Sequence, residues 1–236
     1  MKVSVVVPVY NEETYVARVL DQILAVRTPL DVEFEVVVVD DGSKDGTPDV
    51  LRKYPPNRIL HIHYQKENMG KGSAIREGLR HVTGEVVLIQ DADLEYAVSD
   101  YTRLLEPIVK GEAEAVYGSR FLGRISGMKL RYRLFNLFIR GLVNVLFGAS
   151  LTDEATAYKV VKTDVLKSLD LRSRRFEICP EMTAKLLKKG VRIHEVPITY
   201  EGRNLAEGKK IRWTDGVQAV ATLLKYRFLP SRPPAA

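Results

Sequence analysis

The chain predicts an α/β fold: a mostly parallel, twisted central sheet flanked by helices, with amphipathic helices added along one side. Three observations predict it. Strand, turn and helix alternate four times in about the first ninety residues, the pattern of a wound parallel sheet. The strands are runs of Val, Ile and Leu rather than alternations, as strands buried on both faces are. Polar groups gather where strands end, at Tyr10 to Glu12, at Asp40 and Asp41, and at Asp91 and Asp93. That edge is where open α/β sheets hold ligands.

Lys2 to Val9 is the first strand, β-branched and apolar. Asn11 is expected to cap the helix that follows, with Glu12 and Glu13 in its first turn. Val16, Val19, Leu20, Ile23 and Leu24 then recur at helical spacing. Glu33 to Val39 is the second strand, Thr47 to Tyr54 a short helix and Arg58 to Tyr64 the third strand. Asn68 to Ser73 reads as a Gly-rich turn that leads into a helix over Ala74 to Val82. The fourth strand, Val86 to Gln90, runs into Asp91-Ala92-Asp93. On an extended segment those two carboxylates point the same way, and like charges held that close need a cation between them. A hard divalent ion that also binds substrate phosphate meets the need. The stretch therefore reads as a metal–diphosphate site; the bland alternative is a solvated turn.

The second half is written differently. Glu114 to Tyr117 is a strand, expected to end at Gly118-Ser119-Arg120. Residues 120–140 hold six basic residues and no acidic ones: Arg120, Arg124, Lys129, Arg131, Arg133 and Arg140. From Leu130 to Phe147 the pattern is helical, with Arg133, Asn136, Arg140 and Asn144 on one stripe and apolar residues elsewhere. It is too interrupted to span a bilayer, which takes roughly 20 apolar residues. It reads either as a helix lying in a membrane interface, basic side to the headgroups, or as a core helix with a solvated polar face. Tyr158 to Val161 and Val191 to Tyr200 are further strands, Arg175 to Lys188 and Thr214 to Phe228 helices, and Arg203 to Trp213 a basic loop. Pro230 to Ala236 reads as a disordered end.

Composition narrows the classes. The 236 residues are 45% hydrophobic and 28% charged, as in soluble globular proteins. A net charge of +6 suits a phosphate-bearing or anionic-surface partner. A single cysteine, Cys179, excludes an internal disulfide framework and a Cys-rich zinc site, and fits a reducing cytosol. The apolar start is cut short by Asn11-Glu12-Glu13, so no signal peptide is expected. No G-x-G-x-x-G follows the first strand, and Gly70-Lys71 lacks the P-loop frame, with Gln65 and Gly72 in its required positions. No nucleic-acid-binding module is recognisable, so no nucleic-acid partner is expected.

The segments VVVPVYNEE, VVVDDGSKDGT, NMGKGSAIREG, DADLE and YGSR, in that order and spacing, resemble family-2 glycosyltransferases of the GT-A fold. RFEICPE and EGRNLAEGKKIRW look like the branch of dolichyl-phosphate mannose synthase and related polyprenyl-phosphate glycosyltransferases. The resemblance covers nearly the whole chain. It implies one catalytic domain over residues 1–228, with a nucleotide-binding half (1–118) and an acceptor-binding half (119–228). The acceptor half holds the amphipathic helix 130–148 and the basic loop 202–213; residues 229–236 are a tail.

By position the resemblance implies that Pro8, Tyr10, Glu12, Asp40 and Asp41 surround the nucleotide base and ribose. Lys71, Ala92 and Lys209 fall on further donor-binding positions. Asp91 and Asp93 would bind Mg2+ or Mn2+, with Glu95 as a third ligand where the family often has Gln. Arg120, either Arg131 or Arg133, and Arg203 would serve acceptor phosphate and donor diphosphate. Asp93 joins these arginines as a catalytic residue. The implied activity is metal-dependent inverting transfer of mannose or glucose from a GDP- or UDP-sugar to a polyprenyl (dolichyl-type) phosphate. Many relatives carry C-terminal transmembrane helices, which this sequence does not show. The chain is therefore expected to be soluble or peripheral at the cytoplasmic face of a membrane, or docked on a separate membrane-anchor protein.

A lipid phosphate is already an anion near neutral pH and needs no general base, only cations that position it. A glycan hydroxyl acceptor, the alternative, needs a carboxylate base. Asp153, Glu177 and Glu181 are the candidates for that role, although a helix cap and first-turn acids are the preferred reading of them. A non-catalytic nucleotide-sugar-binding subunit is the alternative from another class; the intact Asp-Ala-Asp and the basic loop argue against it.

Overall fold

The computed structural model describes residues 1–54, 60–203 and 213–229. Seven strands form one sheet: β1 (Lys2–Val9), β2 (Glu33–Asp40), β3 (Leu60–Tyr64), β4 (Val86–Ile89), β5 (Ala115–Ser126), β6 (Lys159–Lys162) and β7 (Ile193–Glu201). Their order is β3-β2-β1-β4-β6-β5-β7. β1, β2, β3 and β4 are parallel, β6 runs antiparallel between β4 and β5, and β7 is parallel to β5.

The valine runs are buried on both faces, as their sequence requires. Val3, Val5, Val7 and Val9 of β1 pack towards α1 (Val16–Ala25) and α4 (Tyr101–Val109). Val6, with Val37 and Val39 of β2, packs towards α3 (Lys71–His81). The same second layer takes in α5 (Leu130–Phe147), α7 (Ile178–Lys188) and α8 (Trp213–Phe228). Between them the chain forms two short helices, α2 (Thr47–Leu51) and α6 (Thr163–Lys167). Pro8 is tolerated in a central strand for a local reason. Val6 turns its carbonyl to the Gln90 N–H, and Pro8, two residues on, faces the side where β4 has already ended. No ladder bond is lost there.

Four expectations are corrected. Asn11 does not cap α1. It sits at φ +49°, and α1 starts only at Val16, after a turn closed on the Glu12 carbonyl. Asn11 instead joins two loops, its Oδ1 accepting from the Lys44 N–H and its own N–H donating to Ser43 Oγ. α3 begins at Lys71 rather than Ala74, because Gly70 supplies the positive φ, +96°, that turns the chain into it. Asp91-Ala92-Asp93 is not extended: β4 ends at Ile89, residues 92–93 form a turn, and Leu94 adopts φ +57°. Arg120 lies inside β5, which continues to Ser126 instead of stopping at Tyr117.

α5 is a fifth case and the most informative. Its span agrees with the sequence, and Ile139 and Val143, with Phe135, Leu142, Leu146 and Phe147, pack on the core, but the polar stripe is only partly solvated and a second apolar stripe is left exposed. Asn136, Arg140 and Asn144 are half-buried, and Asn144 bonds both the N–H and the carbonyl of Leu151. Only Ile139 and Val143 are buried, whereas Leu130, Leu134, Phe138 and Val145 are exposed. Spaced by four, four and seven, they make one stripe. α8 packs beside α5, where a Cβ on Gly216 would fall 2.9 Å from the Phe135 ring. It presents a stripe of its own: Trp213 (81% exposed), Val217, Leu224 and Phe228 (76%). Neither stripe is covered by another described element.

Candidate functional site

The loops after β1, β2 and β4 converge at the carboxyl edge of the sheet. Asp40 and Asp41 are each 2% exposed. Asp40 Oδ1 accepts from the Ser43 N–H at 3.2 Å. Asp41 accepts from the Met69 and Gly70 N–H groups, both at 2.8 Å, and so fixes the turn that starts α3. Burial pushes the Asp41 carboxyl above its ordinary value, against those two hydrogen bonds. Gly42 is required beside it: at φ +68°, an added Cβ would lie 2.5 Å from the Glu67 backbone. Pro8 and Tyr10, at the end of β1, are half-buried on the same edge.

Asp91 and Asp93 each meet a cation. Lys71, the first residue of α3, reaches Asp91 at 2.6 Å. Burial would lower the Lys71 ammonium, but the Asp91 charge outweighs that and holds it above its ordinary range. Arg203, just past β7, places Nη2 2.8 Å from Asp93 and reaches both oxygens of Glu12 at 3.1 and 3.2 Å. Its guanidinium also lies 5.1 Å from the Tyr15 ring centroid. Glu95 accepts from the Arg203 backbone N–H at 2.8 Å and from the Tyr200 hydroxyl at 3.0 Å. Ala92 is buried between the two aspartates in sequence.

Among the described residues, Lys71 meets Asp91, and Arg203 meets Glu12, Asp93 and Glu95. The crowding of acids shows in Asp93. Burial, then the Asp91 and Glu95 charges, push its carboxyl up to about 7 despite Arg203. Asp91 and Asp93 offer hard oxygen donors, and Mg2+-type sites are held through one or two carboxylates plus substrate phosphate. Asp91, Asp93 and Glu95 do not converge as a three-ligand group, since Glu95 is turned to Tyr200 and Arg203.

The remaining predicted residues lie apart. Arg120 is buried and closed on Asp153, through Nε at 2.7 Å, Nη2 at 2.8 Å and its backbone N–H at 3.0 Å. Arg131 and Arg133 are exposed in the first turn of α5; Arg131 lies over the Tyr132 ring, and neither pairs with a described carboxylate. Lys209 and loop residues 204–212 lie outside the described residues. Of the three candidate bases, Asp153 is fully buried against Arg120, and is no helix cap. Glu181 is fully buried and takes the N–H groups of Arg172 and Ser173, the Lys185 ammonium and the Tyr226 hydroxyl. Glu177 accepts from the Arg174 and Arg175 N–H groups through Oε1, while its buried Oε2 has no partner. Tyr15 and Tyr200, which shape the surroundings of Arg203, were not singled out from sequence. Tyr200 carried a signal, as an inward position of the alternating β7.

Residues 4–169 match the family model described as glycosyl transferase family 2. The chain is 30% identical over 224 residues to the low-salt glycan biosynthesis hexosyltransferase Agl6 of Haloferax volcanii, covering 94% of this chain but 52% of that one. The chain thus spans about half the length of that relative. It is 31% identical over 240 residues to the dolichyl-phosphate beta-glucosyltransferase ALG5D of Trichomonas vaginalis, covering 94% and 72%. Among solved structures, glucosyl-3-phosphoglycerate synthase from Mycobacterium tuberculosis, in complex with Mn2+, UDP and phosphoglyceric acid, matches with a TM-score of 0.74 at 22% identity, over 98% of this chain and 80% of that one. That likeness bears on the fold, which is the GT-A arrangement of a mixed sheet between helical layers.

Proposed function

The chain belongs to glycosyl transferase family 2, and from that premise we propose that it transfers a hexose from a nucleoside-diphosphate sugar to a polyprenyl phosphate at a membrane surface. The observation that carries this is the gathering of Asp91 and Asp93 at the sheet edge with Lys71 and Arg203 beside them, where burial and the Asp91 and Glu95 charges push the Asp93 carboxyl up to about 7. A divalent ion, Mg2+ or Mn2+, held by Asp91 and Asp93 would neutralise charge on the departing diphosphate. Lys71 and Arg203 stand where they can meet the diphosphate oxygens beside those carboxylates. Pro8, Tyr10, Glu12, Asp40 and Asp41 line the edge for base and ribose. The donor is UDP- or GDP-linked. Glucose ranks ahead of mannose as the sugar, because the Trichomonas relative is named as a glucosyltransferase. A single displacement by the acceptor inverts the anomeric centre. In this reading residues 1–118 bind the donor and residues 119–228 the acceptor, within one domain.

Two features support a lipid phosphate acceptor. The phosphate oxygen is an anion that needs no base, and Asp153 and Glu181 are fully committed to structural partners. The apolar stripes of α5 and α8 are bordered by exposed basic groups: Lys129, Arg131, Arg133, Lys225 and Arg227. That combination suits an anionic lipid interface. No described helix is long and apolar enough to cross a membrane. The proposal gives these faces to lipid and requires no separate anchor protein. The buried, unpartnered Glu177 Oε2 favours one second reading, transfer to a glycan hydroxyl with Glu177 as base.

The test is a radiolabelled transfer assay with Mg2+ or Mn2+, a panel of UDP- and GDP-sugars and a short polyprenyl phosphate. Label in the organic phase with one donor is the expected result. Metal-dependent donor hydrolysis without organic-phase label, together with loss of glycan transfer in Glu177→Gln, would replace this acceptor with a hydroxyl.

A further inference from the structure

On the helix α3 and the edge strand β3, His63, Glu77 and His81 bring three ligating groups together. His81 Nε2 lies 3.2 Å, and His63 Nε2 3.8 Å, from the same oxygen, Glu77 Oε1. The two rings stand 5.2 Å apart and 30° from parallel. The three ligand atoms all fall within 4.8 Å of one another, and no other described group of three such side chains does so. A four-coordinate zinc ion with N and O ligands at about 2.0–2.1 Å sets its ligand atoms roughly 3.3 Å apart. The two spacings to Glu77 Oε1 bracket that edge length.

The surroundings favour ligation rather than chance proximity. Glu77 and His81 are four apart on α3 and so share a face. Arg80 Nη1 holds the other carboxylate oxygen, Glu77 Oε2, at 2.8 Å. That contact orients the carboxylate so that Oε1 is the atom the imidazoles meet, the role an outer partner plays at metal sites. The glutamate side chain is 19% exposed, while His63 and His81 are 41% and 42% exposed, which leaves a solvent side for a fourth ligand.

We propose that His63, Glu77 and His81 form a second metal site, selective for zinc-class ions and separate from the carboxylate edge. The two sites sort ions by donor chemistry. Two imidazoles and one carboxylate suit Zn2+, Ni2+ or Cu2+, while carboxylates and phosphate suit Mg2+ and Mn2+. The bound ion cross-links β3, which among the described strands pairs with β2 alone, to α3, whose first residue holds Asp91. Binding to the folded chain therefore stabilises it by mass action. The proposal does not depend on the acceptor or donor assigned above.

The experiment is a titration of the full chain with Zn2+ under excess Mg2+, which saturates the carboxylate edge, followed by calorimetry and thermal melting. A parallel titration uses Co2+ and reads its visible bands. The expected result is one Zn2+ bound, a raised melting temperature and the intense bands of four-coordinate Co2+. His81→Ala and Glu77→Gln should each weaken binding by about tenfold or more, with Mg2+-supported donor turnover unchanged in His81→Ala. Asp91→Asn should bind Zn2+ as the parent does. His63→Gln serves as the second ligand variant if His81→Ala does not fold in EDTA. Absence of Zn2+ binding by the parent, equal binding by the ligand variants, or binding lost in Asp91→Asn alone would each overturn the site.

Discussion

Arg120 is buried and Arg203 half-buried, and both face carboxylates, yet they do different things. Arg120 meets one partner, Asp153, through two side-chain bonds and a backbone bond, and the account of charge is closed. Arg203 is shared among Glu12, Asp93 and Glu95. The first arrangement is a clasp, holding β5 to the segment before β6. The second spreads one guanidinium over several acids. A crowded acid cluster is a poorer structural element and a better candidate binding site, because a divalent cation can join it together with an anionic diphosphate.

The comparison can be broken in order of size. Arg120→Ala should cost about 3–5 kcal/mol of stability, since it leaves Asp153 buried and unpaired. In urea melts, Arg120→Met with Asp153→Leu should recover much of that loss; no recovery would deny that the pair is a closed clasp. Asp93→Asn should lower transfer by about a hundredfold or more, while its melting temperature holds or rises as repulsion from Asp91 and Glu95 is relieved. A fall in melting temperature matching that of Arg120→Ala would erase the distinction. Arg203→Ala should cost about a hundredfold in turnover, read by initial rates beside the same melts.

Glu35 supplies the smallest and most pH-sensitive comparison. It is 1% exposed and, against the opposing effect of burial, the hydrogen bonds from Lys2, Ser4 and Thr83 bring its carboxyl down to about 2. A carboxyl lowered by folding stabilises the native state above its ordinary value of 4.5 and loses that contribution as pH falls towards 2. Glu35→Gln should therefore be less stable by on the order of 2 kcal/mol at pH 7, with the gap closing through this window. A gap that stays constant down to pH 3 would show that Glu35 acts through shape alone.

Much of this was legible in the residues. The valine runs fixed β1 and β2 to within a residue, because burial on both faces leaves no choice of composition. The acids at the strand ends were legible because a buried carboxylate is otherwise too costly to keep. What sequence could not supply was partnership at a distance. Asp153 is 33 residues from Arg120 and Glu12 is 191 from Arg203, and no local pattern announces either pair. The turn at Asp91-Ala92-Asp93 was read as strand because alternation is assumed until something ends it; here Leu94, at positive φ, belongs to that ending. α5 misled for a related reason. A polar stripe is ordinarily the wet side, but Asn144 commits its amide to Leu151 and leaves that end of the stripe half-buried, while Arg133 stays exposed.

The exposed apolar stripe of α5 bears on how rates should be measured. In the proposed setting, with Leu134, Phe138 and Val145 on lipid, the enzyme meets its acceptor in two dimensions, where the relevant quantity is molecules per unit area. Diluting the acceptor with inert lipid, at constant bulk amount, should then slow the reaction as its surface fraction falls. Adding buffer alone should leave the rate per vesicle unchanged.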